Sequence, residues 1–129
     1  MKRDMDLIRK LLLRIEDMPA PHRAPVLHFI DANTLQQPDE DLEVIAYHLQ
    51  LLVQAGFLDE TKEGKLFGGI TGLTWLGHDF LDSVRNPEIW KRTKEGAAKA
   101  GGYTVELLAD LAKGFLKTQV EKHTGIKLP

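Results

Sequence analysis

The chain has 129 residues, enough for one well-cored domain and too few for two ordinary ones, so we expect a single core with an appendage. Hydrophobic residues make up 43% and charged residues 28%, a globular balance that argues against wholesale disorder. Cysteine is absent, which excludes disulfides, thiol nucleophiles and thiolate metal sites.

No run of about eighteen apolar residues is present, and the opening Met1-Lys2-Arg3-Asp4 does not lead into an apolar signal core. We therefore expect a cytoplasmic protein without a membrane partner. The net charge of −2 is unevenly spread. Residues 1–85 hold nine Lys and Arg against fourteen Asp and Glu (−5), and residues 86–129 hold eight against five (+3). An acidic core disfavours nonspecific attraction to nucleic acid, which depends on cations neutralising phosphates.

Met5, Ile8, Leu11, Leu12 and Ile15 fall at helical spacing and predict a first amphipathic helix over residues 2–17. Pro19, Pro21 and Pro25 interrupt it, and Val26-Leu27-His28-Phe29-Ile30 predicts a short strand before the turn-prone Asp31-Ala32-Asn33. The stretch from Asp31 to Pro38, where a short intermediate helix would belong, carries only a weak helical signal.

Pro38 followed by Asp39, Glu40 and Asp41 predicts the start of a helix, because proline tolerates its first turn and acids match the positive dipole end. Leu42, Ile45, Ala46, Leu49, Leu52 and Val53 continue it to a stop at Gly56. Phe57-Leu58 and the stretch Leu66–Thr74 then predict two strands around a charged turn. Further helices are expected over Trp75–Arg85, over Pro87–Ala100, and from a Thr104 cap to about His123.

A helix packed on a small three-stranded sheet closed by a hairpin is the winged-helix plan. The expected fold is thus α+β and mostly helical. It has a winged helix-turn-helix core over 1–85, with a small antiparallel sheet, and a C-terminal helical extension over 86–129 that packs on the core or mediates oligomerisation.

Two stretches carry a resemblance. Leu49, Leu52, Ala55-Gly56-Phe57-Leu58 is similar to the end of the recognition helix and first wing strand of winged-helix regulators, and Leu73-Thr74-Trp75-Leu76-Gly77-His78-Asp79-Phe80-Leu81 to the segment that closes their wing. With Met1–Lys10, Tyr47–Leu52, Leu73–Asp82 and Ile89-Trp90, most of the chain resembles the uncharacterised bacterial and phage family known as domain of unknown function 2513. That resemblance implies a phage or mobile-element setting and brings no assigned activity.

The solvent face of the predicted recognition helix would carry Glu40, Glu43, Tyr47, Gln50 and Gln54. Glutamine and tyrosine suit base edges, yet Asp39, Glu40, Asp41 and Glu43 put four negative charges where phosphates would approach, with no Lys or Arg between Pro38 and Gly56. Lys62 and Lys65 are candidate wing contacts to a phosphate backbone, offset by Glu60 and Glu63. Gly68, Gly69 and Gly72 lack phosphate-loop spacing and suit a bend or bulge in the wing strands.

His22, His28, His48, His78 and His123 lack metal-binding spacing, with His48 and His78 expected to pack or to cap hydrogen bonds; Ser83, the only serine, has no activating histidine in frame. Catalytic residues, metals and cofactors are therefore not expected. Trp75 is expected to plug the wing onto the helices and Trp90 to pin the tail. In the basic tail Leu107, Leu108, Leu111 and Phe115 form an apolar face, of which Leu107, Leu111 and Phe115 are a candidate interface.

The function expected from these features is that of a non-enzymatic binding module acting through a protein partner or a homodimer. The alternative is a sequence-specific DNA-binding transcriptional regulator, dimeric through its tail.

Overall fold

The computed structural model describes residues 1–18, 31–61 and 69–129. Among these described residues six helices and two strands follow in the order α1 (Met5–Glu16), α2 (Ala32–Leu35), α3 (Leu42–Gln54), β1 (Leu58–Thr61), β2 (Gly69–Leu73), α4 (Trp75–Val84), α5 (Pro87–Ala100) and α6 (Val105–Thr124). The fold is α+β and mostly helical, with a small two-stranded antiparallel sheet among the described residues. It divides into two compact units, Met1–Asp79 and Phe80–Pro129, and the division falls inside α4.

In the first unit α1 starts where the Asp4 carboxylate accepts the backbone N–H groups of Asp6 and Leu7, two donors a helix leaves unsatisfied. Its stripe of Met5, Ile8, Leu11, Leu12 and Ile15 is buried, and the helix packs against α2, α3 and β2. Burying five such side chains stabilises this unit by roughly 1.5–3 kcal/mol each before the entropy of ordering is set against it.

The intermediate helix with the weak signal is formed as α2, capped by Asp31, whose carboxylate accepts the Thr34 N–H and hydroxyl. The strand expected over 26–30 lies outside the described residues.

α3 begins later than proline and acids suggest. Asp39 stands at φ +73, a left-handed conformation that ends any helix running through it, and Asp41 is the residue that caps α3. At the other end Gly56 takes φ +80. There the Phe57 N–H donates to Leu52 O and the Gly56 N–H to Val53 O, which turns the chain out of α3 into β1.

β1 and β2 pair with Leu58 opposite Leu73, Asp59 opposite Gly72, Glu60 opposite Ile70 and Thr61 opposite Gly69. The register shifts between Asp59 and Glu60, the irregularity expected of the glycine-bearing strands.

β2 runs into α4 through Thr74. Its hydroxyl donates to Gly56 O at 2.6 Å and accepts the Gly77 N–H at 3.0 Å, and its own N–H donates to Phe57 O. Gly77 packs directly on that Phe57 carbonyl, where a Cβ would collide.

In the second unit the Asn86 side chain caps α5, Pro87 occupies its first turn and Gly101 ends it in a left-handed conformation. Thr104 caps α6, and α5 packs on α6. Ile89, Trp90, Thr93 and Ala97 of α5 are buried, as are Leu108 and Ala112 of α6. The Leu111 side chain packs beside Gly96, at van der Waals distance from where a Cβ would stand. Among the described residues no helix is long and apolar enough to cross a membrane.

Candidate functional site

α3 is held by its inner face. Ile45, Leu49 and Leu52 are buried with His48, which has no exposed surface. The Asp4 N–H donates to His48 Nε2 at 2.8 Å, so Nε2 is the acceptor and the proton sits on Nδ1, which donates to Val44 O at 2.8 Å. Both ring nitrogens are thereby occupied. Tyr47 meets the imidazole edge-on at 5.5 Å and is half-buried.

With that face fixed, Glu43, Ala46, Gln50 and Gln54 point outward and are exposed. Glu40 does not join them. It precedes α3 and forms a two-pronged ion pair with Arg14 of α1, at 2.8 and 3.0 Å, while accepting the Gln37 N–H. The Arg14 guanidinium holds the Glu40 carboxyl below its ordinary value. Arg14 also donates to Leu35 O, so this pair ties α1 to both ends of the α2–α3 connection and leaves Glu40 as a clamp, not part of an open face.

Beside the outward face of α3 lies a cavity of about 440 Å³. Ala46, Leu49, Gln50, Val53 and Gln54 of α3 line it with Asp31 and Ala32 at the start of α2 and Glu60 and Ile70 of the hairpin. Its lining among the described residues is mostly apolar, with two amides and two charged groups, both acidic. Thr34, through its hydroxyl and backbone N–H, holds the Asp31 carboxyl below its ordinary value, so Asp31 remains an anion across the neutral range. Among the described residues, an arrangement of this kind suits an apolar side chain and a cation and repels a phosphate.

Lys62 and Lys65, the candidate wing contacts, lie outside the described residues, as do Gly68, His22 and His28. Trp75 does not plug the wing. It is 84% exposed, next to Leu76 at 55%. The reason is the contact at Gly77, because two residues along a helix is about 200° of rotation, and the close approach of Gly77 to Phe57 turns Trp75 outward. Trp90 is buried, with the Lys94 ammonium 5.7 Å from its ring centroid. His78 is half-exposed, 3.8 Å from Glu16, and Ser83 is buried. No cluster of potential metal ligands occurs among the described residues.

In the tail, Leu107, Leu111 and Phe115 are half-buried, and Leu111 is already engaged against Gly96. The packing and hydrogen bonding expected of His48 are found, whereas sequence reasoning missed the Glu40 clamp, which depends on a partner distant in the chain, and the exposed Trp75-Leu76 pair. Thr74 followed three residues later by glycine was the one local hint of the last.

The family model described as hypothetical protein (DUF2513) matches residues 2–103, which takes in the first unit except Met1, with α5, and stops short of α6. An uncharacterized protein of Haemophilus influenzae is 33% identical over 103 residues, covering 73% of this chain and 76% of that relative. No solved structure gives a significant match.

Proposed function

This chain belongs to the domain of unknown function 2513 family, and for this member we propose a non-enzymatic interaction module that engages a protein partner along α3. The observation that carries the reading is the cavity beside α3: apolar walls from Leu49, Val53 and Ile70, with Asp31 and Glu60 as the only charged lining groups among the described residues. The fitting occupant is a segment that presents an apolar side chain next to Lys or Arg. The order α1, α2, α3 and hairpin supports a winged-helix reading of the first unit. The proposal keeps the cytoplasmic, phage or mobile-element setting implied by the resemblance.

The test is a titration of the protein with two amphipathic peptides identical except that one carries lysines where the other carries glutamates. Saturable binding of the lysine peptide alone is expected, weakened roughly tenfold by Ala46→Arg, which sets a cation on the exposed rim. Equal binding of both peptides, or of neither, overturns the proposal.

A second reading, a sequence-specific DNA-binding regulator, draws on Gln50 and Gln54, which are exposed one turn apart on α3. It requires duplex binding at low salt that declines as salt rises. Gln50→Ala with Gln54→Ala should then alter sequence preference.

A further inference from the structure

The outward side of α6 carries a charge order that its own unit does not use. α6 is packed through Leu108 and Ala112, and at 100° per residue the opposite side holds Glu106, Asp110, Lys113 and Lys117 in one narrow stripe. None of the four has an ion-pair partner among the described residues.

Two of the spacings are unfavourable within the helix, since Glu106 with Asp110 and Lys113 with Lys117 are like-charged pairs one turn apart. Asp110 and Lys113 oppose each other three residues apart, and Lys117 precedes Glu121 by one turn, although Glu121 is engaged by the Leu128 N–H. The helix dipole accounts for Glu106 in the first turn and not for the other three. Gly114 lies on the same side, exposed, with nothing near the place a Cβ would take. A glycine there weakens the helix, and no neighbour among the described residues requires it.

We propose that this stripe is a self-association surface on which α6 pairs antiparallel with α6 of a second copy. A two-fold axis passing between the two helices, level with the midpoint of Leu111 and Ala112, brings Glu106 opposite Lys117 and Asp110 opposite Lys113 in a single register, each pair occurring twice. A parallel pairing would set like charge on like. The surface differs from the apolar Leu107, Leu111 and Phe115 side, and it lies beyond the residues matched by the family model. It does not depend on the α3 reading, because a monomer would still bind a partner there.

The experiment is sedimentation equilibrium on the full chain. A concentration-dependent dimer is expected at about 50 mM salt, its dissociation constant rising roughly tenfold or more by about 500 mM as the pairs are screened. Lys113→Glu with Lys117→Glu, and separately Glu106→Lys with Asp110→Lys, should each be monomeric with the far-ultraviolet helical signal retained. Mixing the two variants should restore a heterodimer. A wild-type chain that stays monomeric at low salt overturns the proposal, as do reversed variants that dimerise alone or fail to pair when mixed.

Discussion

α3 and α6 are both amphipathic, yet their own unit closes around one and leaves most of the other open. α3 places four of its thirteen residues in the interior, Ile45, His48, Leu49 and Leu52, and α1, α2 and β1 pack against it. α6 is twenty residues long and buries only Leu108 and Ala112. The difference teaches where outward residues acquire meaning. On α3 a fully determined inner face fixes which side chains look outward, whereas on α6 the outward stripe is defined by two buried residues and carries the charge order from which pairing with a second copy is proposed.

The contrast is most sharply broken at Gly77. Gly77→Ala forces a Cβ into the Phe57 carbonyl and should destabilise the first unit by about 3 kcal/mol or more, seen as a lower urea midpoint. Leu108→Ala should cost about 3 kcal/mol by opening a cavity at one of the two buried positions of α6, while Val120→Ala, at a site 44% exposed, should change stability by less than about 0.5 kcal/mol. Equal effects from those two substitutions would show that α6 is buried along its whole length.

Smaller again is His48→Phe, which leaves the Asp4 N–H without an acceptor and should cost about 2 kcal/mol in the same urea experiment. Glu40→Gln should cost about 1 kcal/mol at neutral pH. Because Arg14 lowers the folded-state pKa of Glu40, its contribution is complete above the ordinary value of 4.5 and is lost as pH falls below that through the folded value. Stability measured against pH should therefore fall less steeply in acid for Glu40→Gln than for the parent.

Much of the element order was legible because helix signals are local. Asn86-Pro87 opens α5, Gly101 closes it and Thr104 opens α6, each through a side chain or backbone preference acting within four residues. The start of α3 was not legible. Pro38-Asp39-Glu40-Asp41 has the composition of a first helical turn, but Glu40 is drawn to Arg14, 26 residues earlier, and Asp39 is left-handed. The candidate site was legible in part. Helical spacing placed Glu43, Gln50 and Gln54 outward, while the cavity beside them needs Asp31, Glu60 and Ile70, which only the folded chain brings near α3. Trp75 was misplaced because a large aromatic residue favours burial on average, and periodicity does not reveal a backbone contact two residues away.

The approach of Gly77 to Phe57 also divides the Leu73–Leu81 stretch into scaffold and lettering. Thr74 and Gly77 are committed to joining hairpin to helix, so a relative that folds alike has almost no freedom at the glycine. Trp75 and Leu76, turned outward by that same contact, are free to drift. Variation at those two places among relatives would then record what each member touches, and constancy there would mark a shared partner.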